Sequence, residues 1–152
     1  MPTVVLLPGM DGTGTLFEPF VTALSGRFRN AIVRYPADRP MDYAGHVAYA
    51  RALLPADEPY VLLGESFSGP VAVSLAAERP AGLRGLILCA SFIRNPRPFF
   101  GGLRPLARVM PIPLAPLSLL RAYVMGEFVN DELRDHLVRA ISQVSPAVLR
   151  AR

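Results

Sequence analysis

Gly64-Glu65-Ser66-Phe67-Ser68-Gly69 joins the apolar run Tyr60-Val61-Leu62-Leu63 to a helix-patterned stretch, 68–78. A buried strand that turns straight into a helix must hold one residue at its tip in a strained conformation. The residues two before and two after it must be small, because the two backbones approach closely there. Gly64 and Ser68 meet that demand, which makes Ser66 the tip. Its hydroxyl is expected to stand clear of the sheet, over a helix N-terminus whose unpaired N–H groups and dipole favour negative charge. The rival reading is an ordinary strand-to-helix turn rich in small residues.

Outward from this corner, residues 1–91 alternate strand and helix. Thr3-Val4-Val5-Leu6-Leu7 is a β-rich run that stops at Pro8-Gly9. Residues 15–25 have helical spacing (Leu16, Phe20, Ala23, Leu24), with Gly26 as a stop. A second strand is expected at 31–35. A helix follows at 42–54, with Tyr43, Val47, Ala50 and Leu54 on one face. The strand before the corner, its helix with Pro70 in the first turn, and a fourth strand at 83–90 complete the series. Continuous apolar strands alternating with helices predict an α/β fold, a parallel sheet covered by helices on both faces. Right-handed crossovers set its hand. Beyond Ser91 the texture changes: 92–126 is rich in Pro, Phe, Leu and Arg without a clean period, and 131–144 reads as an amphipathic helix capped by Asn130. The domain reading is therefore 1–91 as core and 92–152 as a helical lid.

The loop after the first strand, Pro8-Gly9-Met10-Asp11-Gly12-Thr13-Gly14, lies at the carboxyl end of a parallel strand, where open α/β sheets bind ligands. If the first and third strands are neighbours, this loop faces Ser66. The Met10 and Phe67 N–H groups then converge on one oxygen, as stabilisation of an acyl-transfer oxyanion requires. Gly9, Asp11 and Glu65 become pocket candidates. A phosphate-binding α/β module is the competing reading, but the glycines run G-x-x-G-x-G rather than G-x-G-x-x-G, and the chain has no lysine for a P-loop.

These two motifs, in this order and with one strand and two helices between them, resemble the α/β-hydrolase superfamily. They look most like its esterase and acyltransferase members, among them plant phytyl-ester and diacylglycerol acyltransferases. The resemblance covers residues 3–91, and 92–152 as the lid. It implies Ser66 as nucleophile, Met10 and Phe67 as oxyanion donors, and a small-molecule ester or acyl substrate. Two departures stand out: Ser68 replaces the usual Gly two after the nucleophile, and Pro8 stands where many members have His.

Composition narrows the rest. The chain has 152 residues, 51% hydrophobic, with all 16 basic residues Arg. The lack of Lys excludes a lysine Schiff base and a Ser–Lys pair. A single cysteine, Cys89, points to a reducing compartment, and with no targeting pattern the expected location is cytoplasmic. Cys89 itself is expected to be a buried small hydrophobe. Residues 91–152 carry nine Arg against four acids, but no nucleic-acid motif accompanies them, so no nucleic-acid partner is expected. The longest uncharged apolar stretch, 109–120, holds three prolines and is too short to span a membrane. Two histidines and one cysteine lack ligand spacing, so no metal and no organic cofactor are implied.

A serine hydroxyl needs a base. The superfamily order places the acid and His after later strands; the expectation is that those strands are not in this sequence, and 92–125 holds no Asp or Glu. His46 reads as a packing or surface residue; His136 lies on the polar boundary of its helix with Glu132 four residues before it. A sheet ordered 2-1-3-4 would leave Leu86-Ile87-Leu88 as a bare apolar edge. The expectation is a chain continued by further sequence, or one that pairs through strand 83–90 with another copy. A non-catalytic hydrolase fragment that binds without turnover is the alternative.

Overall fold

The computed structural model of the chain describes residues 1–93 and 131–152. Four parallel strands, β1 (Thr3–Leu7), β2 (Arg29–Ile32), β3 (Tyr60–Glu65) and β4 (Leu83–Cys89), form a sheet in the order β2-β1-β3-β4. Pairing runs Thr3↔Tyr60 to Leu7↔Gly64 between β1 and β3, so the loops that leave these strands emerge side by side.

Alternation along β1 explains the layers, because successive side chains point to opposite faces. Val5 and Leu7 join Leu62, Ala50, Val71, Ala72 and Leu75 in a core under α2 (Tyr43–Arg51) and α3 (Gly69–Ala77). Val4 and Leu6 pack with Leu63 and Phe17 on the other face, beside α1 (Glu18–Ala23). Helices thus cover both faces, as expected. Asp42 caps α2 by accepting the Gly45 N–H at 2.7 Å, and Gly26 ends the α1 segment with φ of 79°.

Three local expectations are corrected. The 15–25 segment begins as a tight 3-10 turn, Thr15–Phe17, which advances the phase of the helix that follows. Phe17 is therefore buried and Val21 partly so, while Phe20 is exposed. The second strand pairs earlier than 31–35, because a backbone ladder does not need apolar side chains: Arg29 and Asn30 sit opposite Thr3 and Val4. Val33 and Tyr35 keep their side chains in the core, but the Tyr35 N–H leaves the sheet for the Gly12 carbonyl at 2.9 Å. Cys89 is exposed, not buried, because nothing among the described residues pairs with the outer edge of β4. Leu86, Ile87 and Leu88 are exposed with it.

The C-terminal helix appears as α4 (Asp131–Ser142), followed by α5 (Pro146–Ala151), capped by Ser145. α4 packs on the 3-10 turn, and the Ser145 N–H bonds the Ala37 carbonyl at 2.9 Å. Asn130 and the stretch 94–130 lie outside the described residues. No described helix is long and apolar enough to cross a membrane.

At position 64 strand β3 approaches helix α3 too closely for a side chain. A Cβ there would lie 2.7 Å from Ala72 Cβ and 2.9 Å from the Ser68 carbonyl oxygen. Gly64→Ala should lower the free energy of unfolding by roughly 1–3 kcal/mol in urea titration, the usual cost of overpacking.

Candidate active site

Ser66 adopts φ of 48°, in the left-handed region that costs a non-glycine residue about 1–2 kcal/mol. The strand enters the corner through Glu65 (φ −96°, ψ 134°) and the helix begins by Ser68 (φ −81°, ψ −1°). Ser66 is half-buried, and its hydroxyl makes no hydrogen bond among the described residues. The Ser91 hydroxyl donates to the Ser66 carbonyl at 2.5 Å. Gly69 opens the space that Ser91 fills, since a Cβ at 69 would overlap it.

Ser68, the departure from a Gly at this position, has a use. It is fully buried, and although it stands at the N-cap of α3 its hydroxyl does not cap the helix. Instead it donates to the Pro8 carbonyl and receives the Tyr35 hydroxyl proton at 3.0 Å. This ties the corner to the loop after β1. Burial pushes the Tyr35 hydroxyl up to about 12, so it stays a donor at neutral pH. The α3 N-terminus keeps its amides free of side-chain caps.

The loop itself turns at Gly9–Gly12, with Gly12 N–H bonded to the Gly9 carbonyl at 3.0 Å and Gly12 at φ of 69°. In a trans peptide the N–H points opposite to the carbonyl. Because the Gly9 carbonyl faces into the turn, the Met10 N–H faces out. The Phe67 ring is buried, stacked on Tyr43 (5.0 Å between centroids) and met edge-on by His46 (5.0 Å). That packing fixes the residue whose N–H follows Ser66.

Of the pocket candidates, Asp11 is buried and structural: its Oδ2 accepts the Thr13 N–H at 2.9 Å and the Thr13 hydroxyl at 2.6 Å. Glu65 is half-buried beside Gly9. Burial, then the neighbouring Asp11 charge, raises its carboxyl above the ordinary range, and the Gly9 amide partly offsets this. His46 is buried and not at the surface. Its Nδ1 donates to the Asp42 carbonyl at 2.7 Å, its Nε2 has no hydrogen-bond partner among the described residues, and its ring packs on Tyr35 and Phe67. His136 is half-buried on α4. Neither histidine hydrogen-bonds Ser66 among the described residues. No three described His, Cys, Asp or Glu side chains cluster as metal ligands. Sequence reading missed Ser91 and the last residue, Arg152, which touches the loop from 141 positions away. No local pattern marks either one.

Comparison with known proteins follows the same lines. No protein-family model matches the chain. Phytyl ester synthase 1, a chloroplastic protein of Arabidopsis thaliana, is 28% identical over 142 residues, which is 88% of this chain and 19% of that protein. The pimeloyl-[acyl-carrier protein] methyl ester esterase of Aeromonas hydrophila is 37% identical over 98 residues, 59% of this chain and 38% of that protein. The crystal structure of a hydrolase from Pseudomonas aeruginosa superposes with a TM-score of 0.66 at 19% identity, over 99% of this chain and 63% of that one. The chain thus spans less than two thirds of each of these three relatives.

Two outcomes test the local physics. At position 66 a left-handed backbone reverses the usual order of Ala and Gly, so Ser66→Gly should be more stable than Ser66→Ala by about 1 kcal/mol in denaturant titration. Burial lowers His46 below its ordinary value, with the Asp42 carbonyl pulling back. The stability that comes from keeping it neutral is complete above about pH 6.5 and is lost as pH falls through the folded value. Unfolding free energy should fall on acidification below about pH 6.5, by at most about 1.4 kcal/mol per unit from this group, and His46→Gln should remove that component.

Proposed function

Because the chain belongs to the α/β-hydrolase superfamily, we propose that it is the core of a serine hydrolase that cleaves a carboxylic ester or transfers its acyl group. Ser66 is the nucleophile. The observation that carries this reading is the strained corner itself: a hydroxyl free of partners among the described residues, at the carboxyl end of β3, next to a turn whose leading amide faces outward.

In the proposed reaction Ser66 Oγ attacks the ester carbonyl, and the carbonyl electron pair moves onto oxygen. The N–H groups of Met10 and Phe67 hold that oxyanion, an effect worth roughly 10²–10³ in rate per donor. The base that takes the Ser66 proton on attack delivers it to the leaving oxygen; collapse expels the alcohol and leaves an acyl group on Ser66, which passes to water or to an acceptor alcohol. The names of the two curated relatives, a phytyl ester synthase and a methyl ester esterase, support acyl esters as the substrate class. The proposal assigns 92–152 to a lid over the acyl pocket. It takes the base and its acid partner from outside the described residues, since His46 is committed to Asp42 and to the core.

A phosphate-binding role is disfavoured by the two carboxylates, Asp11 and Glu65, that flank Gly9. Fluorophosphonate labelling tests the serine reading. A single adduct on the Ser66 peptide, lost in Ser66→Ala, is expected by mass spectrometry. A folded wild-type chain that stays unlabelled would favour the non-catalytic alternative.

A further inference from the structure

Five successive carbonyls, Pro8 to Gly12, each have a hydrogen-bond donor. Ser68 serves Pro8, Gly12 N–H serves Gly9, and Tyr35 N–H serves Gly12. The two in the middle are held by one side chain. Arg152 Nη1 donates to the Met10 carbonyl at 3.2 Å and to the Asp11 carbonyl at 2.9 Å, while its Nη2 donates to the Pro36 carbonyl at 2.8 Å. The guanidinium lies over the Tyr35 ring at 5.5 Å from its centroid. Gly12 leaves room for it, since a Cβ there would overlap the guanidinium. α5 seats the residue through buried Val148 and through the Ser145–Ala37 hydrogen bond.

Building on the serine-hydrolase reading, we propose that Arg152 is a positioning residue for the oxyanion turn: by holding the Met10 and Asp11 carbonyls it keeps the Gly9–Gly12 turn closed, and the closed turn presents the Met10 amide to the reacting oxygen. The planar fork suits this task. Two of its nitrogens can serve carbonyls from two segments at once, which a lysine point charge cannot match. The Met10 N–H is aimed by its own peptide plane, whose Gly9 carbonyl the Gly12 N–H holds, and Arg152 fixes the two planes that follow, so that the turn carrying this bond keeps its shape. A turn without the guanidinium keeps the contacts at Pro8, Gly9 and Gly12 and loses those at Met10 and Asp11. A displacement of about 1 Å in such a group is enough to cost up to about 10²-fold in rate.

The test uses Ser66→Cys in a Cys89→Ser background, since a thiolate forms near pH 9 without a general base. Acylation by p-nitrophenyl butyrate forms a carbon–sulfur bond through an oxyanion and releases nitrophenolate. Alkylation by iodoacetamide displaces iodide and forms no oxyanion. Adding Arg152→Gln should slow acylation by about 10- to 100-fold and leave alkylation unchanged, with Arg152→Lys in between. Equal acylation rates, or acylation and alkylation falling together, would overturn the positioning role while leaving the nucleophile reading in place. A parent thiolate acylated no faster than free N-acetylcysteine would remove that reading, and this proposal with it. If Arg152→Gln does not fold, Arg152→Lys reports the same ratio of rates.

Discussion

The close approach of β3 and α3 is the constraint on which the site depends. With no side chain at Gly64, the strand runs within contact distance of Ala72 and of the Ser68 backbone. The chain then has no room for a gradual turn, and the whole reversal falls on Ser66 at φ of 48°. The strain is local, of order 1–2 kcal/mol, and the buried contacts of Val71, Ala72 and Leu75 hold it in place. What the strain fixes is the place of Ser66: half-buried, at the end of the sheet where the parallel strands deliver their loops.

The second half of the site is a turn whose carbonyls are all occupied. Parallel pairing of β1 with β3 brings Pro8–Gly12 alongside the corner, and the Ser68–Pro8 hydrogen bond fastens the two together. This accounts for both departures from the family pattern. Serine at 68 is small enough for the close approach and supplies the bond that links the loops. Proline at 8 has no N–H to offer but keeps the carbonyl that Ser68 needs. Phe67, wedged between Tyr43 and His46, then sets the position of the amide that follows Ser66.

Much of this was legible before any coordinates, and the reason is that the signals were local. Apolar runs of strand length, glycine and proline at their ends, and the Gly-x-Ser-x-Ser corner each act over a few residues, and the order 2-1-3-4 entertained for those strands is the one the sheet adopts. The failures were of two kinds. Where a 3-10 turn intervened, the helical phase slipped, so Phe20 was expected inside and Phe17 is there instead. Where a side chain acts across the chain, no period announces it: Ser91 on the Ser66 carbonyl and Arg152 on the Met10 and Asp11 carbonyls are visible only once the elements are packed. His46 reads on sequence as packing or surface, and burial decides for packing because its ring fills the gap between Tyr35 and Phe67.

In the proposed site the Ser66 oxygen and the amides of Met10 and Phe67 address one point in space. A crystal structure of the covalent phosphonate adduct tests it most directly. Phosphorus is expected on Ser66 Oγ, with one phosphoryl oxygen within about 3 Å of both amide nitrogens. A phosphoryl oxygen turned to solvent, or an adduct on another residue, would contradict it.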